Sequence, residues 1–373
     1  MNILMTAHRF SPDVGGIEIK SELLARIFSE KEHDVVLVTQ SLVSSLAPKD
    51  DYPFCVVRQP SFSRLASLYC WADVVLQVNI EVRTLWPLLF FPRPIVIGIC
   101  TWITGSNGSI RLIDMVKRWI LRRSTASIAI SEAIRRSSCE GSLVIGNPYR
   151  SELFKCFPGL DRQRDFVFVG RMVSDKGVDL LLHAFAVLVS NRNILREAQA
   201  QAIGEQLTLT LIGDGPEILS LHRLVNQLGI SMNVSFVGTL KGENLAHCLN
   251  QHRVLVVPSR WDEPFGNVAL EGAACGCIVV GSDGGGLPDA IGDGGILFIS
   301  GSLEDLVSKL QMALTLSDHE RFCMRSRSKT HLQRHTEQHV AAQYLAVLKE
   351  AVSVYPGKVS SHFLIDEGQS LPC

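Results

Sequence analysis

The chain has 373 residues, of which 46% are apolar and 20% charged, and its formal net charge is −1. That length exceeds one ordinary hydrophobic core and makes two domains the expectation. The composition is that of a globular chain and excludes a disordered or fibrous one, and the charge balance removes the electrostatic case for a nucleic-acid partner.

The 10 cysteines are scattered, with no CxxC pair and no histidines at zinc-finger spacing. Reduced thiols in a reducing cytosol are expected, in place of disulfides or a metal centre. Met1 to Met5 lacks a basic leader and reads as a first strand, so no signal peptide is expected. The most apolar segment, Leu85 to Cys100, is cut by Pro87, Pro92, Arg93 and Pro94 and does not read as a membrane span.

In chain order, Asn2–Ala7 reads as a strand and His8 to Gly16 as a loop. A helix follows from about Ile17 to Lys31, with Ile19, Leu23, Leu24, Ile27 and Phe28 on one face, and then a strand at Asp34–Thr39. Gly15-Gly16 thus sits at a helix N-terminus, where the absence of a Cβ lets backbone N–H groups approach a phosphate. An ordinary flexible turn has the same sequence. Further apolar runs at Phe54–Arg58, Asp73–Val78, Ile95–Cys100, Ser127–Ile130 and Leu143–Ile145 alternate with helical stretches, as in a parallel sheet covered by helices.

The stretch Ser109–Arg123 is a basic amphipathic helix. Leu112, Ile113, Met115, Val116, Trp119 and Ile120 share one face, and Arg111, Arg118 and Arg122 share another. The expected arrangement packs the apolar face on the sheet and leaves a solvated basic edge; contact with an anionic membrane surface is the other reading. The turn-rich segment Gly146–Gly159 and the charged run Asp161-Arg162-Gln163-Arg164 mark the inter-domain linker.

A second α/β set starts at Phe166–Gly170, followed by Arg171 to Gly177 and a helix from about Val178 to Val189. The strand Thr208–Ile212 ends in Gly213-Asp214-Gly215-Pro216. This opening of a dinucleotide fingerprint is broken by Ile218 at the third glycine position, which argues against a nicotinamide-dependent oxidoreductase. Val254–Val257 is a buried strand that runs through a polar turn, Pro258 to Gly266, into a helix from Asn267. Ile278–Gly281 is followed by the glycine-rich turn Asp283 to Asp289. Helices at about Leu303–Thr315 and His335–Val352 close the chain before a loosely ordered end from Pro356.

Ligands of open α/β sheets sit beyond the carboxyl ends of the strands, where each of these turns lies. Arg171 and Lys176 can hold a diphosphate and stabilise its departing charge, or can be ordinary surface cations. Glu263 and Glu271 have seven residues between them across a strand–turn–helix. They can act as an acid–base pair, but two turns of separation suit acceptors for hydroxyls on different parts of one ligand better. No Asp-x-Asp pair stands at a strand end, so no catalytic metal is implied.

Together these residues resemble retaining glycosyltransferases of family 4. Gly170-Arg171 with Lys176-Gly177, Gly213 to Pro216, Glu263-Pro264-Phe265-Gly266 through Glu271 (the E-x7-E signature), and Gly284 to Asp289 carry the resemblance from Val167 to Phe298. Pro12 to Glu18 carries it more loosely. The resemblance implies a GT-B fold: two Rossmann-like, doubly wound parallel-sheet domains facing across a cleft. Residues 1–150 would bind the acceptor and 160–334 the donor, with a helix at about 335–355 packing back on the first. It also implies a nucleotide-sugar donor, a glycan or lipid-linked acceptor, no cofactor and no metal. Arg171 and Lys176 would take the diphosphate. Glu263, with the backbone of Phe265, Gly266 and Asn267, would take the sugar, and Glu271 the ribose. Asp214 lies in a donor-site turn, and the backbone of Gly15 and Gly16 would meet the diphosphate. The family usually has a histidine where Cys100 or Thr101 stands, so a non-catalytic nucleotide-sugar-binding protein is the alternative.

Overall fold

The computed structural model describes residues 1–13, 15–42, 52–104, 111–160, 162–191 and 206–355. The start of the basic helix at Ser109-Ile110 and the chain from Pro356 lie outside the described residues. Two compact units emerge: Met1–Asn147 with the chain from Glu337, and Pro148–Thr336. The division between the units falls after Asn147, within the turn-rich segment Gly146–Gly159.

The first unit is built on seven parallel strands: β1 (Asn2–Ala7), β2 (Asp34–Thr39), β3 (Cys55–Arg58), β4 (Val74–Gln77), β5 (Ile95–Ile99), β6 (Ala126–Ala129) and β7 (Leu143–Val144). Their order is β3-β2-β1-β4-β5-β6-β7. The second has six parallel strands: β8 (Arg164–Val169), β9 (Leu209–Ile212), β10 (Val234–Gly238), β11 (His252–Val257), β12 (Ile278–Ser282) and β13 (Ile296–Phe298), in the order β10-β9-β8-β11-β12-β13. In each sheet the strand order reverses once, between β1 and β4 and between β8 and β11. Helices leave in opposite directions there, opening a crevice at the carboxyl ends.

Central strands such as β11 and β12 are apolar on both faces because helices cover both. In the second unit, Phe166 and Phe185 meet edge to face at 6.0 Å inside a core that includes Phe168, Leu211 and Val256. In the first unit, the Glu337–Val354 helix packs on the Gly16–Glu30 helix and buries Val340, Tyr344 and Leu348 beside Ile3, Met5 and Phe28.

Two elements differ from the reading of the sequence. A helix at Asp318–Gln333 was not anticipated. Its sixteen residues carry too few apolar side chains for a helical period, and its only signal is a capping box in which Ser317 and Glu320 bond each other's backbone N–H groups. The basic helix, Leu112–Arg123, does not pack its apolar face on the sheet. Leu112, Ile113, Met115 and Trp119 are exposed, and the buried residues are Asp114 and Leu121.

Candidate active site at the carboxyl edge of the second sheet

Each sequence-predicted donor residue of the second unit follows a strand end. The segment after β8 forms a short turn of 3-10 helix at Ser174–Lys176 and enters the Val178–Ser190 helix through Gly177. Gly177 has φ +65°, and a Cβ there would overlap the Pro258 carbonyl, so only glycine lets this turn press against the one after β11. Gly285, at φ +59°, does the same from the turn after β12, lying on the backbone of Asp262 and Glu263.

Hydrogen bonds tie the three turns together. Arg260 N and Trp261 N donate to Asp175 O at 2.9 and 3.2 Å, and Gly286 N donates to Glu263 O at 2.7 Å. Ser282 Oγ donates to Ser259 O at 2.8 Å. On the outer side the Arg260 guanidinium meets the Asp179 carboxylate at 2.9 Å.

Lys176 and Glu263 come together in an ion pair at the switch point, between the ends of β8 and β11. Glu263 is buried, and its Oε1 also accepts from Ser259 Oγ at 2.7 Å. Oε2 has no hydrogen-bond partner among the described residues. The pair is charge-assisted and largely shielded from water, which fixes both side chains before any ligand arrives.

About one turn into the next helix, Asn267–Ala274, stands Glu271. Burial pushes its carboxyl up to about 7, against the opposing pull of Arg150. Phe265 is buried with its ring 5.5 Å from that of His335, which anchors the turn that precedes the helix. Gly266 is the N-cap of that helix, and Ala269 N donates back to Gly266 O at 3.0 Å.

The remaining predicted residues are less engaged. Arg171 is exposed and has no ion-pair partner among the described residues. Asp214 is exposed, and its Oδ1 accepts from Gly215 N at 2.7 Å, a bond within its own turn. In the first unit Gly15 is the extended N-cap of the Gly16–Glu30 helix, and the Glu18 carboxylate folds back over it.

Cys100 does not stand in for a histidine at the surface. Its thiol is buried, donates to Val78 O at 3.1 Å, and lies 3.7 Å from the buried ammonium of Lys20. Thr101 is the exposed residue of the two, with its hydroxyl 3.4 Å from Asn79 Nδ2.

Reading the sequence missed Ser259, Arg150 and His335. Ser259 had a weak signal, a hydroxyl four residues before Glu263. Arg150 is far from Glu271 in sequence and had none.

Residues 152–329 match the family model described as glycosyl transferases group 1. Among curated proteins, a D-inositol 3-phosphate glycosyltransferase of Frankia alni is 41% identical over 143 residues, 36% of this chain and 33% of that one. A protein of the same name from Mycolicibacterium smegmatis is 33% identical over 202 residues, 52% of this chain and 42% of that one. The chain thus spans about a third of the length of the first such relatives. Among solved structures, Anabaena Alr3699/HepE in complex with UDP superimposes with a TM-score of 0.76 at 20% identity, covering 94% of this chain and 100% of that one. A glycosyltransferase from Rickettsia africae gives 0.75 at 13% identity, covering 95% and 99%. These likenesses establish the GT-B fold.

The raised pKa of Glu271 has a sign that stability can report. The folded state holds the proton more tightly than the unfolded chain, so the carboxyl costs nothing at low pH and destabilises progressively as pH rises from about 4.5 to about 7. Glu271→Gln is therefore expected to melt higher than the unaltered protein at pH 8, with the gap closing at pH 5. Thermal melts at the two pH values check this; equal gaps would show that the carboxyl is not the source.

Proposed function

We propose that this chain, whose second unit belongs to the glycosyl transferases group 1 family, moves a sugar from a nucleotide-diphosphate donor to an acceptor hydroxyl with retention of anomeric configuration. The observation that carries the reading is the Lys176–Glu263 pair at the switch point, roofed by a helix N-terminus. A diphosphate takes the lysine and the sugar hydroxyls take the free oxygen of Glu263. The solved structure with UDP supports a nucleotide donor for this fold.

The route is a front-side displacement. The bond from the anomeric carbon to the phosphate oxygen breaks, and the bond to the acceptor oxygen forms on the same face. The acceptor's proton passes to the departing phosphate. Lys176 and Arg171 stabilise the charge that grows on that phosphate, in the place a metal ion fills elsewhere, so transfer is metal-independent. Glu271 accepts from the ribose hydroxyls.

The acceptor class follows from the first unit. Exposed Leu112, Met115 and Trp119 share the Leu112–Arg123 helix with Lys117, Arg122 and Arg123, and Arg123 lies 4.3 Å over the Trp119 ring. No helix among the described residues is long and apolar enough to cross a membrane. A helix with both features suits peripheral contact with an anionic bilayer, which supports a chain working at the cytoplasmic face on a lipid-linked glycan. The curated relatives named for D-inositol 3-phosphate give the second acceptor to test.

Lys176→Ala and Glu263→Ala are each expected to lower kcat/KM for transfer by a factor on the order of 10²–10³, the scale of losing one transition-state contact. EDTA is expected to leave the rate unchanged. Unaltered rates in both variants would sink the site, and donor binding with no turnover across UDP-, GDP- and ADP-sugars would leave only a binding protein.

The helix makes its own prediction. The protein is expected to sediment with phosphatidylglycerol vesicles and not with phosphatidylcholine vesicles, and Leu112→Ser with Trp119→Ser is expected to abolish this while melting unchanged. Equal sedimentation with both lipids, or by both proteins, would exclude the contact.

A further inference from the structure

A cavity of about 710 Å³ lies at the amino ends of the strands of the second unit, the edge opposite the donor turns. It is lined by four arginines, Arg162, Arg253, Arg321 and Arg325, by the exposed ring of Phe322, and by one carboxylate, Asp318. Two of the arginines are neutralised. Arg253 Nη1 lies 3.7 Å from Asp165 Oδ1, and Arg321 Nη2 lies 3.3 Å from Asp318 Oδ1.

Arg162 and Arg325 have no carboxylate partner among the described residues. Arg162 donates to the carbonyls of Cys275 and, at 2.6 Å, of His252. Arg325 Nε donates to Gly276 O at 3.0 Å. Both cap the carboxyl end of the Asn267–Ala274 helix, where cations are favourable. That role uses one N–H of Arg325 and leaves the rest of a partly buried guanidinium at the cavity. Burial and the adjacent Arg162 charge lower Arg325 below the ordinary arginine value, as expected for two like charges held together without a counter-ion. The first turn of the Asp318–Gln333 helix adds the positive end of its dipole.

We propose that this cavity is a second anion site, separate from the donor turns, which takes a phosphate group carried on an apolar or aromatic moiety. The guanidinium fork matches phosphate oxygens in pairs. The bound phosphate supplies the counter-ion that Arg162 and Arg325 lack. Phe322 and Leu160 cover the organic part, which inorganic phosphate does not offer.

The test is calorimetric titration of phenyl phosphate and of inorganic phosphate into the full chain carrying Lys176→Ala, which weakens phosphate binding at the donor turns. Phenyl phosphate is expected to bind with one-to-one stoichiometry and more tightly than inorganic phosphate. Arg325→Gln is expected to lose about tenfold or more in affinity, the scale of one charge-assisted contact. Arg321→Gln, which touches no helix cap of the donor helix, should also weaken binding. Phe322→Ser should weaken phenyl phosphate and leave inorganic phosphate unchanged. No saturable heat in the Lys176→Ala chain, or affinity unaffected by both arginine changes, would overturn the site. Equal affinity for the two phosphates would overturn its apolar half. The donor reading stands or falls separately, because it is read by transfer and not by this binding.

Discussion

The carboxyl edge of the second sheet depends on the ion pair between Lys176 and Glu263. An ion pair shielded from water costs desolvation of both groups, and the mutual attraction repays it only when the geometry and the remaining hydrogen bonds are good. Here the backbone supplies the geometry. Gly177 and Gly285 bring two turns into contact with the one that carries Glu263, and Ser259 takes part of the carboxylate's remaining capacity. Removing either partner would strand a charge in a site built for two. A ligand that is anionic at one end and hydroxylated at the other removes neither; it offers each charge a second partner. The same closeness that makes the pair hard to dispense with is what the proposed sugar-diphosphate donor would use.

The Asn267–Ala274 helix carries this arrangement through the unit. It has eight residues, about 12 Å of rise. Its amino end is the turn of Phe265 and Gly266, and its carboxyl end is held by Arg162 and Arg325. Between them Glu271 is half-buried, with only Arg150 to offset the desolvation of its carboxylate. A short helix with few internal bonds takes most of its stability from its surroundings. The cations at one end and the ring of His335 against Phe265 at the other are therefore what fix the donor-side N–H groups in place.

Much of this was legible because the turns are punctuated. Strand ends followed by Gly170-Arg171, Gly213 to Pro216 and Gly284 to Gly286 announce positions where backbone must come close, and the spacing of Glu263 and Glu271 places both on one strand–turn–helix. What could not be read was pairwise and distant. Nothing in the sequence near Lys176 says that its partner lies 87 positions on, or that Arg150 opposes Glu271. The Asp318–Gln333 helix was missed because it lies largely on the surface and needs no apolar period. The Cys100 position could be placed at a strand end, but its inward turn toward Val78 depends on packing within the first unit.

The Leu112–Arg123 helix shows how a correct periodicity can give the wrong packing. The apolar stripe is real, yet the helix buries Asp114, whose carboxylate accepts from Arg111 N at 2.9 Å, and exposes Trp119. Hydrophobic ordering within a single unit would give the reverse. β4, β5 and most of β6 are buried. An exposed stripe of this size, rimmed by Arg111, Lys117 and Arg122, is stable in water only at a cost that a partner surface removes. A flat anionic bilayer matches the stripe and its basic border together. A purely apolar protein groove would match the stripe and leave the arginines without counter-charge, which favours the proposed bilayer contact.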